Sequence, residues 1–213
     1  SALQMFFEVG IFTAAIWLSG VLGKNPQAAN QIALNLSSMT FMIGIGLSVA
    51  AMVRVGNQKG LNDFVSLRRI AFSIFFLTFL IEIIFASFFL VFRDWLPTLY
   101  LDQNTLININ DNKEVIIIAS KLLLVAAFFQ IFDGLQVAIL GALRGLQDVK
   151  IPAFITFVSY WIIGFPVSYY LGLHTSLESI GIWIGLFTGL FAASILLYLR
   201  FNYLTKKLIS SKP

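Results

Sequence analysis

The sequence predicts an all-α membrane protein: a bundle of six transmembrane helices. The 213 residues are 59% hydrophobic and 11% charged, and this charged fraction is about half of that in a soluble domain. Six apolar runs are each long enough to cross about 30 Å of hydrocarbon at 1.5 Å per residue. The 22 Phe and four Trp residues fit burial in lipid better than a single core surrounded by water.

Polar or glycine-rich breaks separate the six runs. The run 23–26 closes the first span, the run 56–60 follows the second as a predicted turn, and the polar run 102–112 precedes the fourth. Span five contains Pro166, which cannot donate a backbone hydrogen bond and therefore predicts a kink. The predicted spans are 3–22, 28–53, 70–92, 115–141, 152–171 and 179–199.

The basic residues predict the orientation. Most of the 14 Lys and Arg residues lie in the links after spans two and four and in the tail after span six. The positive-inside rule places these in the cytoplasm, so we expect both ends of the chain on the cytoplasmic side of a bacterial inner membrane. The sequence opens without Met, and we expect it to start in the middle of a larger protein. The basic residues in the two links and the tail, which we expect on the cytoplasmic side, are Arg54, Lys59, Arg68, Arg69, Arg144, Lys150, Arg200, Lys206, Lys207 and Lys212.

The composition argues against several functions. There is no Cys and a single His, His174, so thiol catalysis, a Ser-His-Asp site and a transition-metal site have no support. No glycine-rich phosphate loop with a Lys is present, so nothing supports ATP-driven pumping. The net charge is only +4, with the basic residues in loops, which argues against nucleic acid as a partner. We expect neither enzymatic activity nor a cofactor.

Two carboxylates lie within the predicted spans, Glu8 in the first and Asp133 in the fourth. An ionisable group at membrane depth is costly and usually handles an ion, a proton or a charged substrate. Counted from the outer ends of their spans, the two lie about 21 Å and about 27 Å deep, so they can face one cavity. Such a pair shares a proton or binds a hard cation through oxygen ligands. The alternatives are a helix-packing role for Asp133 and an interfacial position for Glu8.

Other polar residues form stripes on the helices. Gln130, Asp133 and Gln136 recur at steps of three, which predicts one face turned to the bundle interior or a wet cavity. In span two, Gln31, Asn35 and Ser38 either line a substrate path or hydrogen-bond between helices, each bond contributing about 1 kcal/mol. Glu82, near the middle of span three, is either a protonated packing residue or part of a proton path.

Short motifs spread over the chain carry a resemblance to a known family. From Ala2 to about Leu208, the sequence resembles the second half of a multidrug and toxic compound extrusion (MATE) transporter of the bacterial NorM type. The motifs are Ala2-Leu3-Gln4-Met5-Phe6-Phe7-Glu8, Gln31-Ile32-Ala33-Leu34-Asn35, Arg54-Val55-Gly56-Asn57, Gly141-Ala142-Leu143-Arg144-Gly145 followed by Asp148 and Pro152, and Gly164-Phe165-Pro166.

The resemblance implies a twelve-helix transporter with a drug cavity between two six-helix lobes. Residues 1–213 would form the carboxy-terminal lobe, and the amino-terminal lobe would be missing from this chain. It further implies export of cationic or amphipathic drugs, coupled to inward flow of Na⁺ or H⁺. The Glu and Asp that form the family's cation site match Glu8 and Asp133. A Tyr often precedes that Asp by one turn; here the position is Phe129, which lacks the hydroxyl ligand but presents an aromatic face that can attract a cation.

Two other functions remain open at this point. One is a flippase for lipid-linked sugars, which belongs to the same superfamily. Such flippases usually line their cavity with cationic groups for phosphates, whereas this chain has acidic residues there instead. The other reading is a stand-alone six-helix channel or scaffold.

Overall fold

The computed structural model of the chain describes residues 2–101 and 109–211. Within these ranges the chain is helical, without strands. A 3₁₀ turn at Leu96–Leu99 follows the third helix, and a π-helical segment at Val158–Gly164 joins the fifth to the sixth. The α-helices are α1 (Ala2–Leu22), α2 (Lys24–Gly60), α3 (Phe64–Phe92), α4 (Ile109–Gly145), α5 (Lys150–Phe157), α6 (Phe165–Leu173) and α7 (Glu178–Ser210).

The all-α, six-span prediction is confirmed. Six helical stretches of the described chain are long and apolar enough to cross a membrane; five predicted spans lie within one of them, and the first begins one residue before its stretch, which starts at Gln4. One of the six is continuous through α5, the π segment and α6. Large apolar side chains stay exposed along the spans, including Phe6, Ile84 and Val91. Exposed patches of this extent suit a hydrocarbon environment and would promote association in water.

The breaks between the spans follow the sequence only in part. Gly23 caps α2 with φ of +130°, a conformation that favours glycine. The run 56–60 is helical, so its prediction as a turn is wrong. Packing explains the error, because Gly56 lies against Gly145 of α4 and the Lys59 Nζ donates to the Leu146 carbonyl at 2.8 Å. Of the predicted polar break 102–112, residues 102–108 lie outside the described residues, and α4 begins at Ile109.

Helix α4 lies at the centre of the bundle, in contact with α2, α3 and α7. Small residues allow its close approach to α2. A Cβ added to Gly141 would lie 2.1 Å from the Ser48 carbonyl oxygen, and one added to Gly145 would lie 2.6 Å from the Met52 carbonyl oxygen. Such small-residue contacts are a usual means of packing helices in membranes. They hold α4, with its polar residues, in the interior of the lobe.

The irregularity predicted in span five takes the form of the π segment, which ends two residues before Pro166. Gly164 lies against α7, where an added Cβ would be 3.1 Å from the Gly189 Cα. Side chains of the π segment reach other helices: the Tyr160 hydroxyl donates to Gln136 of α4, and the Trp161 indole N–H donates to the Phe7 carbonyl of α1. Segments of π-helix often occur at functional sites, and this one connects span five to the residues around Glu8.

Candidate functional site

A cavity of about 550 Å³ lies between α1, α2 and α4. Its walls are mainly apolar and aromatic, with Phe12 from α1, Phe41 from α2 and Phe129 from α4. Asp133 is the one carboxylate, and no Lys, Arg or His is present, among the lining residues that the structure describes. An apolar cavity of this size with few polar groups has the dimensions and chemistry of a small-molecule site. Its single acid gives it a preference for positive charge.

The predicted polar face of α2 does line this cavity. Gln31, Asn35 and Ser38 are all among its wall residues, and all three are exposed. The Tyr100 hydroxyl donates to Asn35 Oδ1 at 2.7 Å, and the Ser38 hydroxyl donates to the Asn35 carbonyl. The structure therefore adds Tyr100 to the predicted set and leaves the side chain of Gln31 available to a ligand.

The predicted stripe on α4 splits into different environments. Asp133 is 8% exposed and opens on the cavity, and within the described chain no side chain donates a hydrogen bond to it. Phe129 lines the cavity and packs edge-on against Phe12 and Trp183. Gln130 and Gln136 are buried but do not line the cavity. Of the two predicted locations for this stripe, the bundle interior and a wet cavity, Gln130 and Gln136 therefore occupy the first, since three-residue steps rotate progressively around a helix of 3.6 residues per turn.

Glu8 is hydrogen-bonded to Gln136, which is in turn hydrogen-bonded to Tyr160. The Gln136 Nε2 donates to Glu8 Oε1 at 2.7 Å, and the Tyr160 hydroxyl donates to Gln136 Oε1 at 2.6 Å. The two bonds use both ends of one amide, so Tyr160 fixes the direction in which Gln136 presents its N–H groups. The sequence predicted Glu8 and Gln136 separately, and the structure joins them.

Three acids interact around α4. The carboxyl groups of Glu8 and Glu82 both interact electrostatically with Asp133. Glu82 is 1% exposed and its Oε1 lies against Gly134, where an added Cβ would be 2.4 Å away. Its Oε2 has no hydrogen-bond partner in the described part of the chain. The absence of a side chain at Gly134 leaves the space in which Glu82 reaches the neighbourhood of Asp133.

One basic residue belongs to the same region. Arg144 interacts electrostatically with Glu8, and its Nη2 donates to Gln4 Oε1 at 3.3 Å. This positive charge lies on the Glu8 side of the site, away from the walls that Asp133 shares with the cavity. The two carboxylates therefore have different surroundings: Glu8 has an amide donor and interacts with a guanidinium, whereas Asp133 faces the open cavity.

Besides Tyr100, the sequence analysis missed Tyr160 and Gly134. Tyr160 supplies a hydroxyl next to the acids, although it comes from span five and not from the position of Phe129. The available signal was a phenolic hydroxyl within an apolar span, because a buried Tyr usually finds a hydrogen-bond partner. Gly134 gave no signal, since its role depends on a side chain of another helix.

The profile of the MatE family matches residues 1–170 of the chain. The chain belongs to the MatE family. The six apolar helices and the MatE match together establish an integral, multi-pass membrane protein.

Among curated MatE relatives, the multidrug resistance protein MdtK of Yersinia enterocolitica is 39% identical over 210 residues. MdtK of Yersinia pestis is also 39% identical over 210 residues. In both cases the match covers 97% of this chain and 44% of the relative, so the chain spans less than half the length of these proteins.

Solved MATE structures share the fold. The eukaryotic MATE transporter AtDTX14 superposes with a TM-score of 0.83 at 23% identity, over 97% of this chain and 46% of that protein. A MATE in the bent conformation gives a TM-score of 0.86 at 15% identity, over 98% of this chain and 44% of that one. A MOP superfamily transporter from Pyrococcus furiosus, described by the reversed polarity of its binding pocket, superposes with a TM-score of 0.81 at 17% identity. The superposition covers 97% of this chain and 43% of that one.

Proposed function

We propose that this chain forms the carboxy-terminal lobe of a secondary active multidrug exporter in a bacterial inner membrane, with both ends in the cytoplasm. The transporter would exchange cationic or amphipathic drugs for Na⁺ or H⁺, and a second six-helix lobe would complete the drug path. The observation that carries the proposal is the composition of the aromatic cavity. Among its lining residues that the structure describes, Asp133 is the one acid and there is no basic group. This polarity favours a cationic cargo and argues against a flippase for phosphate-bearing lipids.

Competition for Asp133 would couple the two flows. A drug cation in the cavity lies next to this carboxylate and is favoured by its negative charge, whereas a bound proton or Na⁺ neutralises that charge. The drug would therefore bind best after the coupling ion has left. The carboxylate oxygens of Glu8 and Asp133 are hard ligands that suit Na⁺, and either carboxylate can take a proton. Relatives named multidrug resistance protein MdtK support the drug-export part of the proposal.

The decisive experiment is ethidium efflux from vesicles that contain the full-length transporter, with sodium and pH gradients imposed separately. Asp133→Asn keeps the size of the side chain and removes its charge, so we expect gradient-driven efflux to be lost while membrane insertion stays normal. Asp111→Asn is the matched control, because Asp111 is a half-buried acid in the first turn of α4, paired at 4.0 Å with the exposed Lys24 and outside the cavity. Wild-type efflux in the Asp133 variant would reject the proposal. Loss of efflux in both variants would show that the effect is not specific to Asp133.

A partnership of Glu8 and Asp133 in one cation site can be measured by a double-mutant cycle. We expect the loss of cation affinity in Glu8→Gln combined with Asp133→Asn to be little more than in either single variant. Groups that act on one ion are coupled, whereas independent sites add within about 0.5 kcal/mol. Additive losses would assign the two acids to separate sites.

Glu82 would belong to a proton path, since its buried Oε2 has no hydrogen-bond partner among the described residues and its carboxyl group interacts with Asp133. Glu82→Gln removes a proton carrier but keeps a side chain of the same shape. We expect slower efflux under a pH gradient and unchanged efflux under a sodium gradient. Equal slowing under both gradients would instead assign Glu82 to packing.

A further inference from the structure

A second crevice, of about 410 Å³, lies on another side of the lobe, between α3, α4 and α7. It shares no described residue with the cavity that Asp133 lines. Its walls are almost entirely apolar and mostly aromatic, and Phe76 and Ile195 are 63% and 42% exposed at its mouth. Phe72, Phe75, Phe79 and Tyr198 form much of the remaining wall. The crevice therefore opens outward from the lobe and offers a hydrocarbon ligand a shaped surface.

A fixed positive charge stands at one end of the crevice. Arg68 lies one turn before Phe72 on α3, and its guanidinium carbon is 5.1 Å from the centre of the Phe72 ring. The Arg68 Nη2 donates to Asn202 Oδ1 at 2.5 Å, and its Nη1 donates to Thr205 Oγ1 at 3.4 Å. These contacts hold the guanidinium where the aromatic walls end, between the first turns of α3 and the last turns of α7.

Two further cations flank Arg68. Arg69 precedes Phe72 by three residues and Lys206 follows Tyr198 by eight, so both share a helical face with crevice residues. Both side chains are exposed, and neither forms an ion pair in the described part of the chain. The same end of the crevice thus carries three positive charges, of which two have no described anionic partner.

We propose that this crevice binds an anionic phospholipid, with an acyl chain against the aromatic walls and the phosphate at Arg69 and Lys206, beside Arg68. The distance along α3 from Arg68 to Phe79 is about 16 Å, which is close to half the hydrocarbon thickness of a bilayer. One lipid of a single leaflet therefore spans the crevice. Basic pockets between transmembrane helices bind anionic headgroups in this way, and guanidinium groups pair well with phosphate oxygens.

The test is native mass spectrometry of the purified full-length transporter titrated with phosphatidylglycerol or phosphatidylcholine. We expect one tightly retained phosphatidylglycerol that phosphatidylcholine does not replace. The double variant Arg69→Gln/Lys206→Gln should bind it about 25-fold more weakly, at roughly five-fold for each basic residue removed near an anionic lipid surface. Ile195→Trp fills the crevice and should remove the retained lipid, although it changes no charge.

The matched control is Arg54→Gln/Lys150→Gln, which removes two exposed basic residues outside the crevice and should bind phosphatidylglycerol normally. Glycerol phosphate, which carries the charge without the acyl chains, should not compete. Equal weakening in both double variants, or equal retention of the two lipids, would overturn the proposal. So would a photoreactive side chain at Phe76 that crosslinks to protein and not to lipid, because the crevice would then be a protein interface. None of these results depends on drug transport.

Discussion

The hydrogen bonds around Glu8 make Tyr160 the residue whose removal tests the architecture of the site most directly. Tyr160→Phe deletes one hydroxyl and leaves the ring in place. The structure predicts that Gln136 Oε1 would then lose its hydrogen bond in a site where Gln136 is 0% exposed and Tyr160 is 2% exposed. Because both residues are buried, bulk water would not replace the hydrogen bond that the amide oxygen loses.

The expected destabilisation is about 1–3 kcal/mol, the cost of a buried polar group left without its partner. A double-mutant cycle separates this effect from a loss of packing. In a Gln136→Leu background there is no acceptor to orphan, so Tyr160→Phe should be nearly harmless there. The coupling between the two substitutions should therefore be on the order of 1 kcal/mol.

The assay is thermal unfolding of the full-length protein in detergent, measured for both single variants and the double variant. Tyr169→Phe is the control, because Tyr169 is 43% exposed and its hydroxyl has no hydrogen bond in the described chain. We expect this control to unfold like the wild type. If Tyr160→Phe unfolds like Tyr169→Phe, or if the two substitutions at the site are additive, the hydrogen-bonded chain to Glu8 does not exist.

Two further predictions concern the packing of the lobe. Gly141→Ala places a methyl group 2.1 Å from the backbone oxygen of Ser48, so α2 and α4 must separate and we expect a loss of about 1–3 kcal/mol in thermal unfolding. At Gly46 an added Cβ would meet no described atom within 4 Å apart from its own helix backbone and chain neighbours, so Gly46→Ala should stabilise the protein by about 0.5–1 kcal/mol. Equal effects of the two substitutions would refute the close approach of α2 and α4. Asp148→Asn breaks the 2.8 Å ion pair with the partly buried Arg200 and should destabilise the protein by about 1–3 kcal/mol; an unchanged unfolding temperature would show that this pair contributes nothing.

The sequence alone determined the parts of the fold that depend on the solvent. Hydrocarbon requires long apolar helices with their backbone groups paired internally, so composition and run length predicted six spans. The same cost of burial made Glu8 and Asp133 stand out, because an acid is rare in an apolar run. The break at 23–26 was likewise predicted from local residue types, and Gly23 adopts a backbone conformation there that favours glycine.

Only the tertiary structure decided which residues share a site. Periodicity placed Gln130, Asp133 and Gln136 on one face, but a helix in a bundle has several neighbours, and each residue meets a different one. Gln136 pairs with Glu8 of α1 and Tyr160 of the π segment, whereas Asp133 opens on the cavity. These partners are separated by 24 residues or more in sequence, and pattern within one helix carries no information about what another helix presents to it.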